Sequence, residues 1–305
     1  MNKTDQLQWE AKLARPAALA AFAAGLLLLV GTVLSQSLIE DRRRVESLPD
    51  FLLSVDRSPG TLIIASALQA LAALLLIVVF YYLFRATAHR TPGVPRFFAY
   101  LVFAGPAMYA VSQLLGAFDR IDVAEMFADR SYSFEDAASD SNLRECPAIR
   151  GELGGDCAQE LLRDNAEPLS IGLSLAGSVS VAFLFVMLPL RARRAGLLSQ
   201  FMAILGVIAG VLLVLQLLPL VPVVLQAFWL GAAGALFLGN WPGGRGPAWD
   251  SGEPEPWPSP AQRRGLAEPS EGDRGSGNGA APEDAPEAEP VPERPSSRKR
   301  KRKRG

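Results

Sequence analysis

The stretch TLIIASALQALAALLLIVVFYYLF at 61–84 decides the fold class, because it contains no Asp, Glu, Lys or Arg and is long enough to cross a bilayer as a helix. A hydrocarbon core about 30 Å thick takes about 20 apolar residues to span, and a helix satisfies its backbone groups without help from water. Five further stretches share this character: 16–36, 97–118, 169–190, 199–219 and 221–239. The expected fold is all-α, a polytopic transmembrane bundle of six helices. It has a cytoplasmic N-terminus at 1–15, outer loops at 37–60 and 119–168, and a disordered tail at 240–305. Only Pro219 to Pro222 divides the last two spans, so two helices joined by a tight outer turn are expected, with a re-entrant pair as the alternative. Val33-Leu34-Ser35 also resembles a signal-peptide cleavage site. Signal h-regions run to about 7–15 residues, and the longer first span favours an uncleaved anchor.

Working outward, the composition separates the apolar part from the tail. Half of the 305 residues are hydrophobic, yet 20% are charged, and residues 240–305 hold 12 of the 30 basic and 11 of the 31 acidic side chains. That division excludes a single soluble globular domain. Five lysines stand against 25 arginines, a bias typical of GC-rich genomes.

Orientation follows from the excess of positive charge in cytoplasmic loops. Arg85, Arg90 and Arg96 lie in the connector 85–96, and Arg191, Arg193 and Arg194 in 191–198, neither of which holds an acidic residue. Both connectors are expected on the cytoplasmic face of the plasma membrane. With six spans the two termini join them, in agreement with Lys3, Lys12 and Arg15. The loop 119–168, with 13 acidic residues against five arginines, is expected outside. Arg42, Arg43 and Arg44 in the other outer loop run against the rule.

Cys146 and Cys157 both fall in the outer loop, within CPAIRGELGGDC, and read as a disulfide because that compartment is oxidising. Closing so short a loop contributes about 3 kcal/mol. Two free thiols are the alternative. A metal site is disfavoured, since the one histidine, His89, belongs to the opposite face. Asp136, Asp140 and Asn142 do not form a calcium-loop pattern and read as a solvated acidic surface. The stretches AEMFADR and AQELLRDN have helical propensity, so the loop is expected to form a partly helical cap.

Within the spans the informative residues are neutral. No interior ionisable group and no nucleotide, protease or redox motif is present, so no enzyme of familiar mechanism and no cofactor is expected. Gln69, Gln113, Gln216 and Gln226 read as interhelical polar contacts, each worth about 0.6 kcal/mol, with a polar solute pathway as the alternative. Gly206-x-x-x-Gly210 and Ser174-x-x-x-Ser178 would let backbones approach within the bundle. Pro106, beside Gly105, is expected to kink its helix. Tyr81, Tyr82, Phe84, Phe97, Phe98 and Tyr100 form an aromatic belt at the inner interface, and Trp241, Trp249 and Trp257 read as interfacial anchors of the tail. The run Arg298, Lys299, Arg300, Lys301, Arg302, Lys303 and Arg304 is expected to meet anionic lipid headgroups. It has no interleaved aromatics for base stacking, which disfavours nucleic acid as its partner.

The segments FYYLFRATAHRTPGVP and RARRAGLLSQFMAILGVIAGVLLVLQLLPLVPVVLQAFWLGAAGALFLGNWPGG, followed by PAW, resemble a group of uncharacterised bacterial multi-pass membrane proteins over most of residues 15–260. The resemblance implies a helical integral membrane protein and transfers no catalytic or binding residue. Two function classes are expected. One is a non-enzymatic scaffold, sensor or accessory component of the cell envelope, contacting an envelope or membrane protein through the outer loop and the tail. The alternative is a transporter or channel for a small neutral solute.

Overall fold

The computed structural model describes residues 2–38, 48–91, 93, 95, 97–136, 158–159, 161–165, 167–215, 220–242 and 244–257. Among them no strand occurs, and the helices are α1 (Lys3–Ser37), α2 (Leu48–Arg57), α3 (Pro59–Arg90), α4 (Phe97–Asp136), α5 (Pro168–Arg194), α6 (Gln200–Leu215), α7 (Val221–Phe237) and the short α8 (Pro247–Ser251). Four of these are long and apolar enough to cross a membrane: α1, α3, α4 over Phe97–Asp129, and α5. The other two apolar helices, α6 and α7, have 16 and 17 residues. At 1.5 Å per residue they reach only about 24–26 Å, so the described part of this pair falls short of a full span.

The six apolar helices close a ring in the order α1, α3, α4, α5, α6, α7 and back to α1, with α3 and α5 also touching across the interior. Small residues make the closure possible. The inner stripe of α1 is Ala14, Ala17, Ala18, Ala21 and Ala24, so α3 and α7 can both lie close to it. Large rings fill the space left between: Phe80 and Trp229 both meet Phe185 edge-on, at centroid distances of 5.1 and 5.2 Å. The Gly206 and Gly210 pair does pack within the bundle. A Cβ on Gly210 would lie 2.6 Å from Ala182 O, and one on Gly206 2.7 Å from Pro189 Cγ, so α6 rests its backbone on α5. Between α4 and α5 a close approach falls on Gly177, where a Cβ would stand 2.6 Å from Tyr109 N. α4 runs without interruption through Pro106, and Gly105 beside it faces Ser180.

At the end away from Arg90, α2 lays Leu52 and Val55 against Leu38, Leu62, Val123, Phe127 and Leu161. This second cluster makes a helical cap beyond the apolar bundle. AEMFADR belongs to α4, which continues past its apolar stretch into the cap, and AQELLRDN contributes Ala158 and Leu161 to it.

Two expected boundaries and the placement of one side chain change. Helix α1 starts at Lys3, so residues 1–15 are mostly its first turns. The packed unit extends to Trp257, so residues expected to begin the tail belong to the bundle. Finally, Trp249 is only 3% exposed and is a core residue, where an interfacial anchor was expected. Apolar helix counting misplaced this boundary because Trp241–Trp257 contains few aliphatic residues and gains its order from aromatic and polar contacts with other segments. The aromatic belt likewise divides: Tyr82 and Phe98 are buried, whereas Phe97 and Tyr100 are exposed.

Candidate functional site

Three places combine polar groups with unusual surroundings: the base of the bundle, its centre, and a groove between α4 and α5. The base is organised by Arg90, in the last turn of α3. Its guanidinium donates to both carboxylate oxygens of Glu10, at 2.6 and 2.8 Å, twice to the Ala248 carbonyl, at 2.9 and 2.8 Å, and once to Ala86 O in its own helix. The two side chains are 0% and 2% exposed. Gln6 donates to the same carboxylate and Tyr82 Oη to the Glu10 carbonyl, so the buried pair is enclosed by hydrogen bonds. Above it, Tyr82 is stacked between Trp9 and Trp249, with centroids 5.7 and 5.6 Å away. Arg85 lies over Trp9 and Arg245 over Trp249, at 4.7 and 5.0 Å.

The segment 241–257 straps this end. Trp249 Nε1 donates to Leu197 O in the connector between α5 and α6, and Lys3 pairs with Glu253 at 2.7 Å. Gly196, at φ +74°, takes the left-handed turn that ends α5, and its missing Cβ leaves room for the Glu255 carbonyl. The amino end of α1, the carboxyl end of α3, the 191–198 connector and the strap therefore meet at one end. Arg245 Nε and Trp257 Nε1 are buried there with no hydrogen-bond partner among the described residues.

At the centre, α1, α3, α4, α5, α6 and α7 all contribute to a seam lined by Ala24, Gln69, Tyr109, Val181, Leu213 and Gln226, and its cavity is only about 10 Å³. That is near the minimum for one water molecule. Gln226 is 5% exposed, and its Nε2 has no partner among the described residues.

The groove is larger, about 350 Å³, and opens between the middle of α4 and the first half of α5. Ser112, Gln113, Gly116 and Arg120 line one side, and Ser170, Ser174 and Ser178 the other. Ser112 and Ser178 donate to carbonyls three residues back in their own helices, and Ser170 makes a short bond to the Asp119 carboxylate across the groove. No group of three or more His, Cys, Asp or Glu side chains suited to a metal occurs among the described residues.

Of the glutamines singled out by sequence, the structure brings Gln69 and Gln226 to the same seam and places Gln113 in the groove. Gln216, Cys146, Cys157, Asp140, Asn142 and the basic run 298–304 lie outside the described residues, as does the rest of the 258–305 tail. The Glu10 and Arg90 pair was missed because each counted only as a loop charge. Its one sequence signal is Glu10 beside Trp9 in an N-terminal segment of mixed charge. The groove had a clearer signal: Ser170, Ser174 and Ser178 recur every four residues on one helix face.

No protein-family model, no curated protein and no solved structure matches the chain. The resemblance noted in the sequence therefore brings no relative's site residues to it.

Proposed function

We propose that this chain is a non-catalytic membrane protein of the cell envelope that works by holding other proteins, as a scaffold, sensor or accessory subunit. The observation that carries this reading is the closed centre: all six ring helices meet at a seam of about 10 Å³. Accessible polar groups lie instead at the base, where Lys3 and Glu253 are exposed, and in a lateral groove, and a partner can reach them there.

In this proposal the bundle crosses six times, with 199–219 and 221–239 as the final pair, and both termini are cytoplasmic. Support comes from the end that collects Lys3, Arg85, Arg90, Arg191, Arg193, Arg194 and Arg245, since basic residues mark the cytoplasmic face. The side assigned to the termini does not depend on whether the last pair crosses or re-enters, because either path returns to the end where it began. A cysteine introduced at Ser199 should resist a membrane-impermeant thiol reagent in intact cells and react after lysis. Labelling before lysis would reverse the orientation.

A second reading, a carrier for a small neutral solute, draws on Gln226, whose amide nitrogen is unpartnered within the seam beside Gln69 and Tyr109. Liposome flux separates the two. Purified full-length protein should leave glycerol and urea permeation at the protein-free rate, and crosslinking in native membranes should recover a defined envelope complex. Saturable flux abolished by Gln226→Leu in a folded protein would replace the scaffold reading.

A further inference from the structure

We propose that the groove between α4 and α5 binds the headgroup of an anionic phospholipid carrying free hydroxyls, of the phosphatidylglycerol type. The inference rests on the chain spanning a membrane and not on its acting as a scaffold. The first argument is the direction of Arg120. An arginine near the end of a membrane helix ordinarily extends its side chain toward water. Here the apolar part of α4 ends at Phe118, and the Arg120 guanidinium instead folds back toward the amino end of the helix. Its Nη1 lies 4.0 Å from the position a Cβ on Gly116 would occupy. Gly116 leaves that path open, and the cation becomes part of the groove lining.

The second argument is the pattern of partners. Arg120 makes no ion pair among the described residues, while the neighbouring Asp119 carboxylate is turned onto Ser170. A planar guanidinium with donors and no acceptor therefore faces an open cavity of about 350 Å³. Guanidinium geometry suits two oxygens of one phosphate. Hydroxyl groups suit the remaining lining. Gln113 and Ser174 offer both donors and acceptors, and Asp119 is an acceptor for a headgroup hydroxyl. The carboxylate would repel a bare dianion, which favours a singly charged phosphodiester over a phosphate monoester.

The third argument separates a lipid from a soluble ester. Flanking the groove, α5 exposes Ile171, Leu175 and Val179 in one stripe that runs from the level of Ser170 toward the membrane centre. An acyl chain descending from a headgroup held at Arg120 would lie along this stripe, whereas free glycerol phosphate would gain nothing from it.

The test uses the full-length protein in detergent, titrated with phosphatidylglycerol, phosphatidylcholine or glycerol 3-phosphate and read by native mass spectrometry. The wild type should bind phosphatidylglycerol saturably and in preference to phosphatidylcholine. Arg120→Gln should weaken phosphatidylglycerol binding by about tenfold and leave phosphatidylcholine unchanged. Ser174→Leu, an exposed position where a larger apolar side chain is tolerated in lipid, should block the groove and give a similar loss with an unchanged melting temperature. Equal retention of the two lipids, or wild-type phosphatidylglycerol binding by Arg120→Gln, would overturn the proposal. Displacement of the lipid by glycerol 3-phosphate at comparable concentration would overturn it too, since the site would then belong to a soluble phosphate ester.

Discussion

Replacing Arg90 with methionine keeps much of the side-chain volume and removes the four hydrogen bonds that join α3 to α1 and to the strap, with a fifth to Ala86 in its own helix. Glu10, 2% exposed, would retain only Gln6 as a side-chain partner, and the Ala248 carbonyl would keep only the Gly252 N–H as a donor. Breaking one half of a buried ion pair costs about 3–5 kcal/mol, because the surviving charge stays desolvated. Most of that cost should vanish when the second charge is also removed. The double variant Glu10→Leu with Arg90→Met should therefore recover most of the loss, since apolar replacement of a whole buried pair is often neutral. Unfolding by SDS in mixed micelles measures the stabilities. Trypsin cleavage after Arg245 reports the strap locally: it should be slow in the wild type, fast in Arg90→Met and slow again in the double variant. A single variant within about 1 kcal/mol of wild type, or a double variant as unstable as the single, would refute the reasoning.

Gly177→Ala should lower stability by about 1–3 kcal/mol in the same assay, because the new Cβ meets backbone atoms of Tyr109 that cannot move aside. Gln226→Leu should be neutral or stabilising, since it removes a donor that has no partner among the described residues; a loss above about 1 kcal/mol would mean the amide is bonded. The Lys3 hydrogen bond, and then the Lys3 charge, hold the Glu253 carboxyl below the usual carboxylate range. This contact should be intact above that range and lost as pH falls through the lowered value. Weaker amide-exchange protection at 252–257 in acid, after correction for the intrinsic pH dependence of exchange, with Lys3→Gln abolishing the difference, checks it. In native membranes Cys146 and Cys157 should resist alkylation until reduced, and modification of both without reductant would exclude the disulfide.

Apolar runs made the four long helices legible, because each is a continuous stretch whose burial or lipid exposure needs no long-range information. Their extensions were not legible. Residues 3–15 of α1 are helical beyond the hydrocarbon because Trp9 and Glu10 meet Tyr82 and Arg90, some 70 to 80 positions away. The strap was read as tail because Pro247, Gly252 and Pro254 carry turn signals, and nothing local shows that Trp249 will bond Leu197. The glutamines were legible as special residues but not in their arrangement. Which of them share a seam depends on the rotation of each helix within the ring, and periodicity alone leaves that rotation open when all sides of a helix are apolar.

The strap also sets an order on biosynthesis. Glu10 and Arg90 can meet once α3 has been made, but Arg90 Nε has its acceptor on Ala248, which is translated only after every ring helix. Until then the nascent bundle holds a guanidinium with unmet donors, and the faces of Tyr82 and Leu197 that Trp249 later covers are open at its base. Chains that emerge from the ribosome fold from the amino end, so the interval between synthesis of α3 and arrival of the strap is when this protein is most exposed to membrane chaperones and proteases.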